Sequence, residues 1–111
     1  MKKSLIVHSL VIFTLSCTTL KLAEPTEIDV EKGKDIFPNL TLEELKEGKK
    51  LYQNNCNLCH KLYNPKALNE AEWRKIIPPM VKKVNKKLGQ QILSSQDEEK
   101  ILKYVLVIQQ R

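Results

Sequence analysis

The chain has 111 residues, a formal net charge of +6 and three cysteines. That length holds one small domain, and three glycines are too few for a glycine-rich phosphate loop. The basic excess is mild, and with no basic–aromatic interleaving and no paired zinc-finger ligands it does not point to nucleic acid.

Met1-Lys2-Lys3 is a positive start, followed by a mostly apolar run from Leu5 to Leu15 that His8, Ser9 and Thr14 interrupt. The run is too short to span a bilayer but has the length of an export-signal core. Leu15-Ser16-Cys17 then resembles a lipoprotein signal, although Thr14 stands where such signals usually carry leucine. Cysteine arithmetic supports the same reading, because a pair at 56 and 59 leaves Cys17 as an odd exported thiol. Residues 1–16 are therefore expected to be a signal peptide and Cys17 a lipidation site; the alternative is an unmodified thiol near an ordinary cleavage point. Loss of Lys2 and Lys3 would bring the formal charge to +4.

Residues 17–37 are polar and unpatterned, with Glu24, Pro25, Thr26, Glu27, Asp29, Glu31, Lys32, Gly33 and Lys34. They read as a lipid-anchored flexible tether reaching about 25 Å on average. Residues 38–111 read as one all-α domain of three to four helices. Thr41 and Glu44 form a capping box, with Leu40 and Leu45 as a hydrophobic staple. The helix they start runs to about Asn54 and presents Leu45, Gly48, Leu51 and Tyr52 on one face. Gly48 costs about 1 kcal/mol inside a helix, so a close helix contact is expected there.

Cys56-Asn57-Leu58-Cys59-His60 is the most specific stretch of the chain. Cys-x-x-Cys-His is the pattern by which c-type haem is attached. Its spacing lets two thiols form thioethers with the two porphyrin vinyls and sets an imidazole under the iron. The competing readings are weaker. A zinc site needs four ligands, and beyond residue 17 there are only Cys56, Cys59 and His60. A redox disulfide wants a βαβ setting, and none is visible. A covalently held porphyrin would also staple a globular part too small to be stable unaided. The single tryptophan, three tyrosines and two phenylalanines fit a core filled by a cofactor.

A third helix is expected from Asn69, capped with Glu72 and facing inward through Trp73, Ile76 and Ile77. Pro78 and Pro79 remove two donors and disfavour helical geometry in the residue before each. The helix should stop or kink there, and a new segment should run from Met80 to Leu88 and close at Gly89. The last helix should start at Ser95 with Glu98, with Asp97 and Glu99 favouring its positive end. It should bury Ile101, Tyr104, Val105 and Ile108, with Leu102, Leu106 and Val107 widening the apolar face.

From the pentapeptide, the chain resembles small bacterial monohaem c-type cytochromes. The resemblance covers the globular part, with Phe37-Pro38 ahead of its first helix, and implies crossed N- and C-terminal helices around one covalent haem c. Gly48 and Tyr52 against Ile101 and Tyr104 look like that crossing. It further implies haem attachment outside the cytoplasmic membrane, which agrees with the export signal. In this group a helix-borne tryptophan is followed closely by a methionine ligand, as Trp73 and Met80 stand here.

His60 leaves one axial position open. In the exported part Met80 is the only methionine and no second histidine exists. The candidates are therefore Met80, a deprotonated lysine, or water. Twenty residues can stretch about 66 Å, ample for Met80 to reach the opposite face. A thioether opposite histidine favours the ferrous state. The free nitrogen of His60 needs an acceptor, and the Pro65 carbonyl or a neighbour in Tyr63–Lys66 is the candidate. Trp73, Tyr63, Arg74 and Lys75 are candidates to meet the propionates. Arg74, Lys75, Lys82, Lys83, Lys86 and Lys87 form a basic run without an acid, suited to steering acidic redox partners or to anionic lipid.

The whole is expected to be an exported, envelope-located (periplasmic) lipoprotein: a monomeric electron-transfer carrier, not an enzyme, with membrane contact through its anchor. The alternative is a haem protein with an open or displaceable sixth site, a haem enzyme or gas sensor.

Overall fold

The computed structural model describes residues 20–111; the expected signal peptide and Cys17 lie outside them. Four α-helices and one 3-10 turn make up these residues, with no strand among them. They are α1 (Glu27–Gly33), α2 (Leu42–Asn55), the 3-10 turn Pro65–Ala67, α3 (Glu70–Leu88) and α4 (Ser95–Gln109). No helix among the described residues is long and apolar enough to cross a membrane.

Local chemistry sets the helix starts. The Glu44 amide donates to Thr41 Oγ1 at 3.2 Å, and the Thr41 amide donates to Glu44 Oε2 at 3.0 Å, the reciprocal bond pair of a capping box. Leu40 and Leu45 are both buried in one cluster, as a staple requires. Asn69 and Glu72 repeat the reciprocal bonds at α3. At α4 the cap is Ser94 with Asp97, not Ser95 with Glu98. Both serines carry an acid three residues on, and the structure selects the register that buries Ile101, Tyr104, Val105 and Ile108. Gly89 ends α3 with φ of 71°, a left-handed conformation that glycine adopts without a Cβ penalty.

Helix α4 is the centre of the molecule. Ile101 and the unbroken run Tyr104 to Ile108 are buried, because α2, α3, α1 and the 3-10 turn all lie against it. The closest approach is at Gly48. A Cβ there would lie 2.1 Å from the Lys100 carbonyl oxygen and 3.0 Å from Tyr104 Cβ. Glycine is therefore required by proximity, and the cost of a helical glycine is offset by close packing of α2 on α4. Tyr52, Trp73 and Tyr104 are fully buried and meet one another, with ring centroids 6.0 Å and 6.3 Å apart. These three rings lie within the larger apolar cluster that includes Ile77, Leu93, Ile101 and Leu106.

Two expectations fail. Residues 20–37 are not a flexible tether. Thr26 and Asp29 cap α1; Leu22 and Val30 are buried; Tyr104 Oη donates to the Ala23 carbonyl at 2.9 Å; and Arg111 bonds both oxygens of Asp29, at 2.8 and 2.6 Å. The polar composition hid this, because few of its apolar residues dock: Leu22 and Val30 are buried, while Leu20 and Ile28 are exposed. The second failure is the stop and fresh start expected at Pro78-Pro79: of the two outcomes expected there, a stop or a kink, the stop does not occur, and α3 continues to Leu88. The two missing donors would have bonded the Arg74 and Lys75 carbonyls, one turn back. Both residues are exposed, so water can serve those carbonyls. Meanwhile Trp73 and Ile77 before the prolines and Val81 and Val84 after them are buried on one face and hold both halves to the core.

Candidate haem-attachment site

Helix α2 delivers Cys56 at its C-terminal end, where the Cys56 amide bonds the Tyr52 carbonyl at 3.0 Å. The chain then leaves regular structure, so Cys59 and His60 sit on an exposed loop while Cys56 remains buried. Helix α3 supplies Met80, Lys83 and Val84. Together Cys56, Cys59, His60, Met80, Lys83 and Val84 line one cavity of about 100 Å³. Residues twenty apart in sequence meet because α3, unbroken by its prolines, brings Met80 alongside the pentapeptide.

The loop is pinned at several points. Tyr52 Oη donates to the Tyr63 carbonyl at 2.7 Å and Trp73 Nε1 to the Pro65 carbonyl at 2.8 Å. Lys87 Nζ donates to the Leu58 carbonyl at 2.6 Å, tying the pentapeptide to the far end of α3. The Pro65 carbonyl is therefore taken by tryptophan. His60 Nδ1 lies 2.7 Å from the Lys61 carbonyl instead. A carbonyl only accepts, so Nδ1 carries the hydrogen, and Nε2 keeps a free lone pair for a metal. The His60 ring also lies against Tyr63, with centroids 5.1 Å apart. Arg74 pairs with Glu70 at 2.8 Å.

The two thiols differ. Burial, and then the neighbouring Cys59, push Cys56 up to about 11, so it stays protonated at neutral pH. Disulfide exchange needs an accessible thiol of lowered pKa, and Cys56 has neither property. Both cysteines are free. Among the described residues no three His, Cys, Asp or Glu side chains converge where a bare metal ion could sit.

No family model matches the chain, and no curated protein or solved structure is similar to it.

The residues themselves are therefore the test of whether a haem fits. The donor set suits one: two thiols three apart in sequence, an imidazole whose Nδ1 is engaged, and a thioether, all on one cavity. The cavity alone is smaller than the roughly 300–1,000 Å³ of enclosed cofactor sites. Cys59 and His60, which line it, are exposed and outside regular structure. Lys83 also lines it and Lys87 bonds the Leu58 carbonyl; Lys82, Lys83, Lys86 and Lys87 are all exposed, and among the described residues none of them makes an ion pair. Sequence reasoning missed two parts of the site, the Lys61 carbonyl and Val84. Lys83 stood in the basic run beside Met80, and the i,i+4 spacing of Val84 from Met80 was the available signal. Nothing in the residue types marked Lys61.

Proposed function

We propose that the chain is a monohaem c-type cytochrome that carries electrons in the cell envelope. The observation that carries the reading is the meeting of Cys56, Cys59, His60 and Met80 on one cavity. Cys56 and Cys59 would hold the porphyrin as thioethers, and His60 and Met80 would bind its iron. Bound haem c supplies reversible one-electron chemistry at iron. The chain's residues then bind and orient. The Lys61 carbonyl fixes the His60 ring; Tyr52, Trp73 and Lys87 hold the loop on either side. The close contact of Gly48 with Lys100 and Tyr104 supports a cytochrome c-like arrangement in which α2 and α4 cross. No substrate bond is made or broken, so the protein is a carrier and not an enzyme. The unpaired lysines of α3 would steer acidic redox partners to the open side of the site. Export and lipidation at Cys17 would keep the protein at the envelope membrane.

The test is a pyridine haemochrome spectrum of the exported protein after acid-acetone extraction. Haem retained through that extraction is expected, and a colourless protein with both thiols titratable overturns the reading. A ferric iron–thioether charge-transfer band separates the carrier from a haem protein with an open sixth site, which would instead bind CO or cyanide rapidly and tightly.

A further inference from the structure

The way residues 20–33 are fastened bears on how the protein meets its membrane. Leu22 is buried with the core of α3 and α4. The Ala23 carbonyl accepts from Tyr104 Oη. Glu24 forms an ion pair with Lys49, and its carbonyl accepts from Arg111 Nη2 at 2.7 Å. Asp29 takes two bonds from Arg111. A Cβ at Gly33 would fall 2.5 Å from Leu40 Cδ2 and 2.8 Å from Val107 Cγ2, so α1 lies hard against the bundle. The described chain begins at Leu20, two residues before the buried Leu22, and Cys17 is three residues from Leu20. Three Cα–Cα steps cover at most about 11 Å. An acyl chain on Cys17 leaves the domain little length in which to swing.

The surface around Leu20 suits a bilayer. Leu20, Lys21, Leu22, Asn64, Pro65 and Lys66 line one shallow cavity. Leu20 is 42% exposed. Lys21 and Lys66 are exposed and, among the described residues, make no ion pair. An apolar side chain on one cavity with two lysines matches an interface with anionic headgroups.

We infer that Leu20–Gly33 is a mount: it seats the bundle directly on the lipid surface, with Leu20, Lys21 and Lys66 against the headgroups. This rests on lipidation of Cys17 and makes membrane proximity a fixed property of the fold. Partners must then reach the site while the domain sits at the bilayer.

The experiment is neutron reflectometry of the mature, full-length lipoprotein on a supported bilayer of phosphatidylethanolamine and phosphatidylglycerol, with intact-mass measurement of the same sample. The mount predicts a protein layer abutting the headgroups, with a hydrated gap no wider than about 11 Å. Inserting ten Gly/Ser residues between Thr19 and Leu20 leaves the fold untouched and should widen the gap to about 20 Å. Lys21→Glu with Lys66→Glu should change the layer profile, while Lys82→Glu with Lys86→Glu, on α3, should not. An acylated wild-type protein standing off as far as the insertion variant overturns the mount alone, and a profile moved only by the α3 pair overturns the assigned face. Absence of an acyl mass overturns the anchor and the mount together, whatever the haem spectrum shows.

Discussion

At the scale of single residues, one position tests the proposed site and another the fold. Met80 is half-buried and lines the cavity; if the proposed function holds, Met80→Ala should leave haem attached through Cys56 and Cys59. On that reading, loss of the thioether removes the ligand that would favour ferrous iron. The expected result is a lower reduction potential and new CO binding to the ferrous protein, read by redox titration and optical spectra. An unchanged potential would remove Met80 from the iron. Asp29 acts on stability. Its carboxyl is held down at about 2, mainly by the Arg111 hydrogen bonds, against an ordinary 3.8. A depressed carboxylate stabilises the fold above its unfolded pKa and loses that contribution as pH falls through the folded one. Asp29→Asn should therefore be less stable than the wild type at pH 7. The difference should shrink as pH falls from about 4 toward 2. Urea midpoints at pH 7, 4 and 3 measure this, and a constant difference would mean that the Arg111 pairing is not its source.

At the scale of elements, what the sequence reveals depends on how local the determinant is. The pentapeptide and the two boxes Thr41/Glu44 and Asn69/Glu72 were legible because each is complete within five residues. Gly48 was legible because a helical glycine requires a reason. Gly48→Ala sets a methyl 2.1 Å from the Lys100 carbonyl oxygen, a backbone atom that cannot turn away. Such overpacking should cost about 1–3 kcal/mol or more and lower the thermal midpoint; an unaltered midpoint would mean that α2 and α4 separate easily. The stop expected at the double proline does not occur: local geometry disfavours a helix there, while the four buried side chains that hold both halves of α3 to the core belong to tertiary packing. Pro78→Ala with Pro79→Ala restores donors to the Arg74 and Lys75 carbonyls. It should raise stability, by up to about 3 kcal/mol per proline, with slowed amide exchange between Ile77 and Val81. A fall in stability would show that the prolines relieve a clash that alanine does not. The Ser94/Ser95 choice was a tie that only the burial of α4 could break.

At the scale of the whole molecule, the boundary of the domain is the clearest departure from what residue patterns suggest. Composition places it at Pro38, because residues 17–37 lack any period and carry many charges. The structure places α1 and the stretch before it on α4, through Leu22, Val30, Gly33 and the Asp29–Arg111 pair. A protein comprising residues 38–111 exposes what these groups cover. Leu22 and Val30 are 6% and 4% exposed, and burying such side chains stabilises by about 1.5–3 kcal/mol each, an upper bound against a compact unfolded state. Small domains hold only about 5–15 kcal/mol in total, so loss of both, with Tyr104 Oη and Arg111 left unpaired, should remove a large share. In urea titrations monitored by helical circular dichroism, residues 20–111 should melt cooperatively, and residues 38–111 should have a much lower midpoint or no native baseline. Haem, if attached in both, raises the two midpoints together without closing the difference, because none of the fastened residues lines the haem cavity. Equal midpoints would return residues 20–37 to the status of a tether, and with it the freedom of the domain to swing.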